Sequence, residues 1–106
     1  AKKLLSNNIP FAIASDFNPG SCPTGNMNFI ISLACNKLKL TTEQAINAAT
    51  INGAYSMGLS DVSGSITKGK LANLLITKNI ESLNELPYYI GDNLIDKVLI
   101  RGREIL

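Results

Sequence analysis

The stretch that most constrains this chain is Phe11-Ala12-Ile13-Ala14-Ser15-Asp16-Phe17-Asn18-Pro19-Gly20-Ser21, where a short apolar run ends in one carboxylate and a turn. A continuously apolar run, bulky residues followed by small ones, suits a β-strand covered on both faces, as in a parallel sheet. Asp16 then stands at the carboxyl end of that strand. In open α/β sheets and in barrels of alternating strands and helices, ligands bind at that end, so an acid there is a candidate functional group. An Asp in the same place also caps a turn, and the residues alone leave both readings open.

The segment that follows, Asp16 to Gly25, holds two prolines, two glycines and Asn18, and is long for a plain connection. Pro19 stiffens the chain, and Gly20 lets the backbone come close to a neighbour. A surface turn without a ligand fits the same composition.

One absence limits the chemistry more than any total. The chain contains no histidine. It therefore supplies none of the imidazoles that catalytic zinc sites usually draw on, and no Ser-His or Cys-His pair. Any metal site or triad must be completed by residues outside this sequence.

Charge and hydropathy exclude further classes. Ten basic residues against eight acidic ones give +2, and the lysines and arginines are scattered, so neither a nucleic acid nor a membrane is expected as partner. Apolar runs such as Phe29 to Ala34 fall far short of the roughly 20 residues needed to cross a bilayer. The start, Ala1 to Asn8, has no apolar core typical of a signal peptide and no initiator Met, and is expected to be the last turn of a helix in a piece of something longer. Cys22 and Cys35 are expected as free thiols in a reducing compartment, hence the cytoplasm.

Along the chain, Asn7 and Asn8 suit a helix end, and Ile9-Pro10 leads into the strand. From Asn26 the apolar residues Met27, Ile30, Ile31, Leu33, Ala34 and Leu38 follow a helical period, predicting a helix to Lys37 or Leu38. Thr41 and Gln44 predict a capping box opening an alanine-rich helix, with Glu43 in its first turn. Asn52-Gly53 is expected to break that helix, and Gly58 to end one further turn. Beyond Leu59 the texture becomes strand-like: Gly64-Ser65-Ile66, a turn at Lys68-Gly69-Lys70, and Leu71 to Ile76. Tyr88 and Tyr89, beside Pro87, are expected to cover the edge of a core. Lys97 to Ile100 reads as a last strand, returned through Arg101 to Glu104 as a hairpin with a solvated tip. The boundary near Leu59 to Ser63 divides a helix-rich segment from a strand-rich one.

Ser15-Asp16-Phe17-Asn18-Pro19-Gly20-Ser21, Leu40-Thr41-Thr42-Glu43-Gln44-Ala45 leading to Ala48-Ala49-Thr50-Ile51-Asn52-Gly53-Ala54, and Gly64-Ser65-Ile66 with Lys68-Gly69-Lys70-Leu71-Ala72-Asn73-Leu74 together resemble the carboxyl-terminal part of an amidohydrolase-superfamily enzyme. The resemblance runs from about Ile9 to the end. Its threonine-rich helix start and Gly-Lys-x-Ala-x-Leu stretch are general to the superfamily, whereas Asp-Phe-Asn-Pro-Gly-Ser is narrower. The resemblance implies an α/β fold: residues 1–58 as the last strand and closing helices of a (β/α)8 barrel, residues 59–106 as part of a small composite β-sandwich.

It also implies a metal-dependent hydrolase that opens a cyclic C–N bond. Asp16 is implied as metal ligand and as the group handling the water proton. Asn18, Gly20 and Ser21 are implied as contacts to the ring and tail of a small-molecule substrate. The cofactor implied is one Zn2+ or Fe3+, with histidine ligands outside this chain, in a full-length homodimer. Superfamily members commonly carry Asp where this chain has Asn73, a change expected to touch a sandwich turn rather than catalysis. Two other readings stand beside it: a dihydroorotase-like or deaminase-like enzyme sharing Asp16, and a small α+β module without chemistry. A strand buried on both faces needs neighbours that this chain lacks, so the chain alone is expected to be inactive and poorly stable.

Overall fold

Side-chain caps decide where the two longest helices begin. The computed structural model describes residues 1–106. After α1 (Lys2–Ser6), Asn8 takes a left-handed conformation (φ 53°). Helix α2 (Met27–Leu38) is opened by Asn26, whose Oδ1 accepts from the N–H groups of Asn28 and Phe29, and is closed by Lys39 at φ 59°. Helix α3 (Thr42–Ala49) carries both halves of the expected capping box. Gln44 N–H donates to Thr41 Oγ1 at 3.2 Å, and Thr41 N–H donates to Gln44 Oε1 at 3.0 Å.

The break after α3 falls earlier than expected. Thr50 leaves helical geometry (φ −115°, ψ −88°), and α4 (Ile51–Ser56) takes in Asn52 and Gly53. The Asn52 side chain points across the chain instead of disrupting its own helix, donating to the Phe11 carbonyl at 2.9 Å. Gly58, at φ 69°, ends the turn as anticipated.

The strand expected at Phe11 to Ala14 corrects to an extended segment outside any sheet. Its residues alternate strictly, Phe11, Ile13 and Ser15 half-buried and Ala12, Ala14 and Asp16 exposed. That alternation is the period of extended backbone with one face covered rather than two. The cover is helical: Ile13 N–H donates to the Ala48 carbonyl at 3.1 Å, and Asn52 grips Phe11. A parallel ladder requires a neighbouring strand, and within these residues there is none beside it.

The second half forms an antiparallel sheet in the order β1 (Leu74–Thr77), β2 (Ile95–Ile100), β3 (Arg103–Glu104). Leu74 faces Leu99 and Leu75 faces Val98, with an irregularity between Ile76 and Thr77. The Arg101-Gly102 tip has positive φ at both residues (50° and 77°), the geometry of a tight hairpin turn. Its residues are exposed, as expected, and two bonds from its backbone N–H groups also tie it down. Asn73 Oδ1 accepts from Arg101 N–H, and the Ala72 carbonyl accepts from Gly102 N–H, each at 2.9 Å. Asn73 thus holds a turn.

Two further expectations do not hold. Gly64 to Ile66 is no strand, because its surroundings close on themselves. Leu71 N–H donates to the Val62 carbonyl, and Lys70 Nζ reaches Ser63 O and Ser65 Oγ. Gly64 (φ 88°) is wedged on α4, where a Cβ would lie 2.6 Å from that of Ala54. Tyr88 and Tyr89 meet edge to face at 4.9 Å, but Tyr88 is 77% exposed and Tyr89 44%, so they cover no core here. Tyr88 ends α5 (Glu85–Tyr88), joined to the start of α3 by the Thr42 hydroxyl donating to Asn84 Oδ1 at 2.6 Å.

The buried apolar residues are Ala34, Leu40, Ala45, Ala48 and Ala54, and no large side chain is fully buried. Small residues bring α2, α3 and α4 close. They remove little apolar area from water, so this packing contributes far less than a core of leucines and phenylalanines. Leu75, Ile76, Ile100, Ile105 and Leu106 stay exposed along the sheet.

Candidate active-site loop

The loop after the extended segment is built by one side chain. Asp16 turns the backbone at φ 50°, an uncommon conformation for a residue with a Cβ. The Asn18 amide then closes the loop. Its Nδ2 donates to the Asp16 carbonyl at 2.6 Å and to Ser21 Oγ at 3.2 Å. Its Oδ1 accepts from Gly20 N–H at 2.8 Å and Ser21 N–H at 2.7 Å. Asn18 N–H meets the Cys22 carbonyl at 2.9 Å in a single antiparallel bridge. Asparagine suits this geometry because its side chain copies a peptide unit at turn distance.

Gly20 has a steric reason to be glycine. A Cβ there would lie 3.1 Å from Asn18 Oδ1, so the close neighbour its sequence position implied is the Asn18 side chain. Pro19 offers no N–H that could compete for Asn18 Oδ1.

The structure brings Asp16, Asn18, Gly20 and Ser21 into one turn. Asp16, Gly20 and Ser21 are exposed and Asn18 half-buried, and the Asp16 carboxylate takes none of the bonds that close the loop. It is left exposed to solvent. No three Cys, Asp or Glu residues converge as a metal-binding group, so Asp16 offers one oxygen donor rather than a complete site. Cys22 and Cys35 are free thiols. The largest cavity, about 530 Å3, lies elsewhere, between α2, α3, β1 and residues 90–95, with Ile31, Ile46, Leu75 and Ile95 among its lining. Phe17, 68% exposed beside Asp16, is the one large side chain at the loop that the sequence did not single out. An exposed aromatic in a polar loop was its available signal.

No helix is long and apolar enough to cross a membrane. Comparison with solved structures gives the fold. An amidohydrolase from Thermotoga maritima superposes with a TM-score of 0.76 at 25% identity, over 99% of this chain and 25% of that one. Escherichia coli guanine deaminase superposes at 0.75 and 22% identity, over 99% and 29%. Among curated proteins, the imidazolonepropionases of Flavobacterium johnsoniae and Christiangramia forsetii are 60% and 61% identical over 105 residues, 99% of this chain. That of Alkaliphilus metalliredigens is 40% identical over 106 residues. The chain spans about a quarter of the length of these relatives, 26%, 26% and 25% respectively. The amidohydrolase family profile matches residues 1–105, and the chain belongs to the amidohydrolase family.

Proposed function

We propose that this chain is the carboxyl-terminal part of an imidazolonepropionase, which hydrolyses the cyclic C–N bond of 4-imidazolone-5-propanoate to give N-formimidoyl-L-glutamate in histidine degradation. The observation that carries the reading is the 60% identity over 99% of the chain to proteins of that name, set against 22% to a deaminase sharing the fold. On this reading residues 1–58 are the last strand and closing helices of a (β/α)8 barrel. Residues 59–106 belong to a composite sandwich. The half-covered segment Phe11 to Ala14 supports it, since its extended backbone suits a strand whose sheet neighbours come from the rest of the enzyme.

Asp16 suits one position in a metal site. It is a hard oxygen donor, exposed and not engaged in closing its loop. The remaining ligands, histidines included, lie outside a chain that has none. A bound Zn2+ or Fe3+ supplies Lewis acidity and a water acidified toward neutrality. The Asp16 carboxylate accepts the proton of the attacking water and returns it to the departing ring nitrogen, general base and then general acid. The loop of Asn18, Gly20 and Ser21 faces the heterocycle and its carboxylate tail. The free thiols Cys22 and Cys35 agree with a cytoplasmic enzyme.

The test is hydrolysis of 4-imidazolone-5-propanoate by the full-length protein, with and without a chelator. Activity that a chelator abolishes and added metal restores supports the reading; no activity on this substrate overturns it.

A further inference from the structure

We propose that Asn18 is a positioning residue for the Asp16 carboxylate, a role that rests on the functional reading above and reaches beyond contact with substrate. The geometry is local and complete. An asparagine amide has two N–H donors and two acceptor positions on its oxygen. All four are engaged inside the loop: the Asp16 carbonyl and Ser21 Oγ accept, and the N–H groups of Gly20 and Ser21 donate.

The shortest of the donor contacts, 2.6 Å, falls on Asp16, the residue at φ 50°. A left-handed conformation is unfavourable for a residue with a Cβ and persists where surrounding bonds over-determine it. Fixing the Asp16 carbonyl fixes the plane of the next peptide, and with it the direction in which the Asp16 side chain leaves the backbone. The Cα–Cβ bond that carries the carboxylate is thereby held, although the carboxylate itself is not touched. Gly20 makes the same point sterically, because a side chain there would push Asn18 Oδ1 away. No other side chain fits the brace: aspartate lacks the donor, serine is shorter, and glutamine is one carbon longer. Partners that orient a metal ligand change affinity or activity by about 10–100-fold when removed.

The test uses the full-length protein and reads metal retention against a competing chelator, together with kcat and KM. Asn18→Ala removes the whole brace. Asn18→Asp keeps an acceptor for Gly20 and Ser21 but sets a second oxygen against the Asp16 carbonyl. Both variants are expected to retain metal about 10–100-fold less well and to lose kcat by a similar factor. KM should rise less in Asn18→Asp than in Asn18→Ala. A rise in KM alone, with kcat and metal retention unchanged, overturns the proposal and leaves Asn18 as a substrate contact. Should Asn18→Ala not fold, Asn18→Asp decides, and wild-type kcat and metal retention in that variant overturn it equally. Metal retention reads Asn18 whatever the substrate is. A full-length protein that binds metal tightly but does not hydrolyse 4-imidazolone-5-propanoate overturns the functional reading alone.

Discussion

Two turns in this molecule place a non-glycine residue at φ 50° and hold it with an asparagine, and they do so in opposite ways. At Asp16 the holding group is Asn18, two residues on, which bonds only to its own loop. At Arg101 it is Asn73, 28 residues away, whose Oδ1 accepts the turn's N–H across the sheet. The first turn is a self-contained object that any scaffold could carry to a rim. The second exists only because β1 and β2 are already paired. The glycines differ in parallel: Gly102 supplies a positive φ, with nothing nearer than 3.9 Å to a would-be Cβ, whereas Gly20 supplies space for Asn18. A local brace suits a functional loop, since its geometry does not shift as the rest of the fold breathes; a long-range brace suits a structural hairpin.

The comparison breaks most visibly at Asp16. Asp16→Ala in the full-length enzyme is expected to lower kcat by roughly 10²–10⁴-fold, the range for a positioned general base. Its thermal unfolding should stay near wild type, because the carboxylate closes none of the loop's bonds. Undiminished turnover in that variant would remove Asp16 from the mechanism. The structural turn should behave in the reverse sense. Asn73→Ala removes the bond to the exposed Arg101 N–H and should cost about 0.5–1.5 kcal/mol in denaturant unfolding of the full-length protein, with kcat unchanged. Asn73→Asp keeps the acceptor and should fall within about 0.5 kcal/mol of wild type, which accounts for the superfamily's use of Asp there. A kcat loss in Asn73→Ala without a stability loss would show that the two turns are not separate in function.

A third outcome concerns what both turns are mounted on. The isolated chain, with small buried residues and an apolar sheet face exposed, is expected to unfold without a sharp cooperative transition or to self-associate. A well-behaved monomer with a steep transition in calorimetry would overturn this.

The smallest expected effect lies at the capping box of α3. Hydrogen bonding from its own backbone N–H, and then from the Thr41 hydroxyl, holds the Glu43 carboxyl below its ordinary 4.5, against a weaker opposing effect of burial. A carboxyl depressed in the folded state stabilises above its unfolded value, and that contribution is lost as pH falls through and below 4.5. Full exposure keeps it small. Glu43→Gln should therefore lower stability slightly at neutral pH, match wild type in acid, and so flatten the acid side of a stability-against-pH profile.

Some of this was legible from residues alone, because the forces are local. Asn26 and Thr41 with Gln44 announce helix starts through side chains that reach N–H groups two or three positions on. The Asp16 to Ser21 loop was legible as a closed turn because asparagine, proline and glycine at those offsets close one by themselves. Where sequence misjudged, a distant partner had intervened. Asn52-Gly53 breaks helices in isolation, yet Asn52 found Phe11 and α4 continued. Gly64 to Ile66 looks like a strand, but Lys70 and Leu71 closed that region locally and α4 took the Gly64 corner.

What the sequence by itself determined is therefore the set of short-range structures: the caps and the braced loop carrying Asp16. Tertiary structure decided which extended residues pair, which faces are covered and where the helix breaks. Phe11 to Ala14 shows the reason: its periodicity specifies an extended backbone, but a ladder also needs a partner strand. No arrangement of its own side chains can supply one.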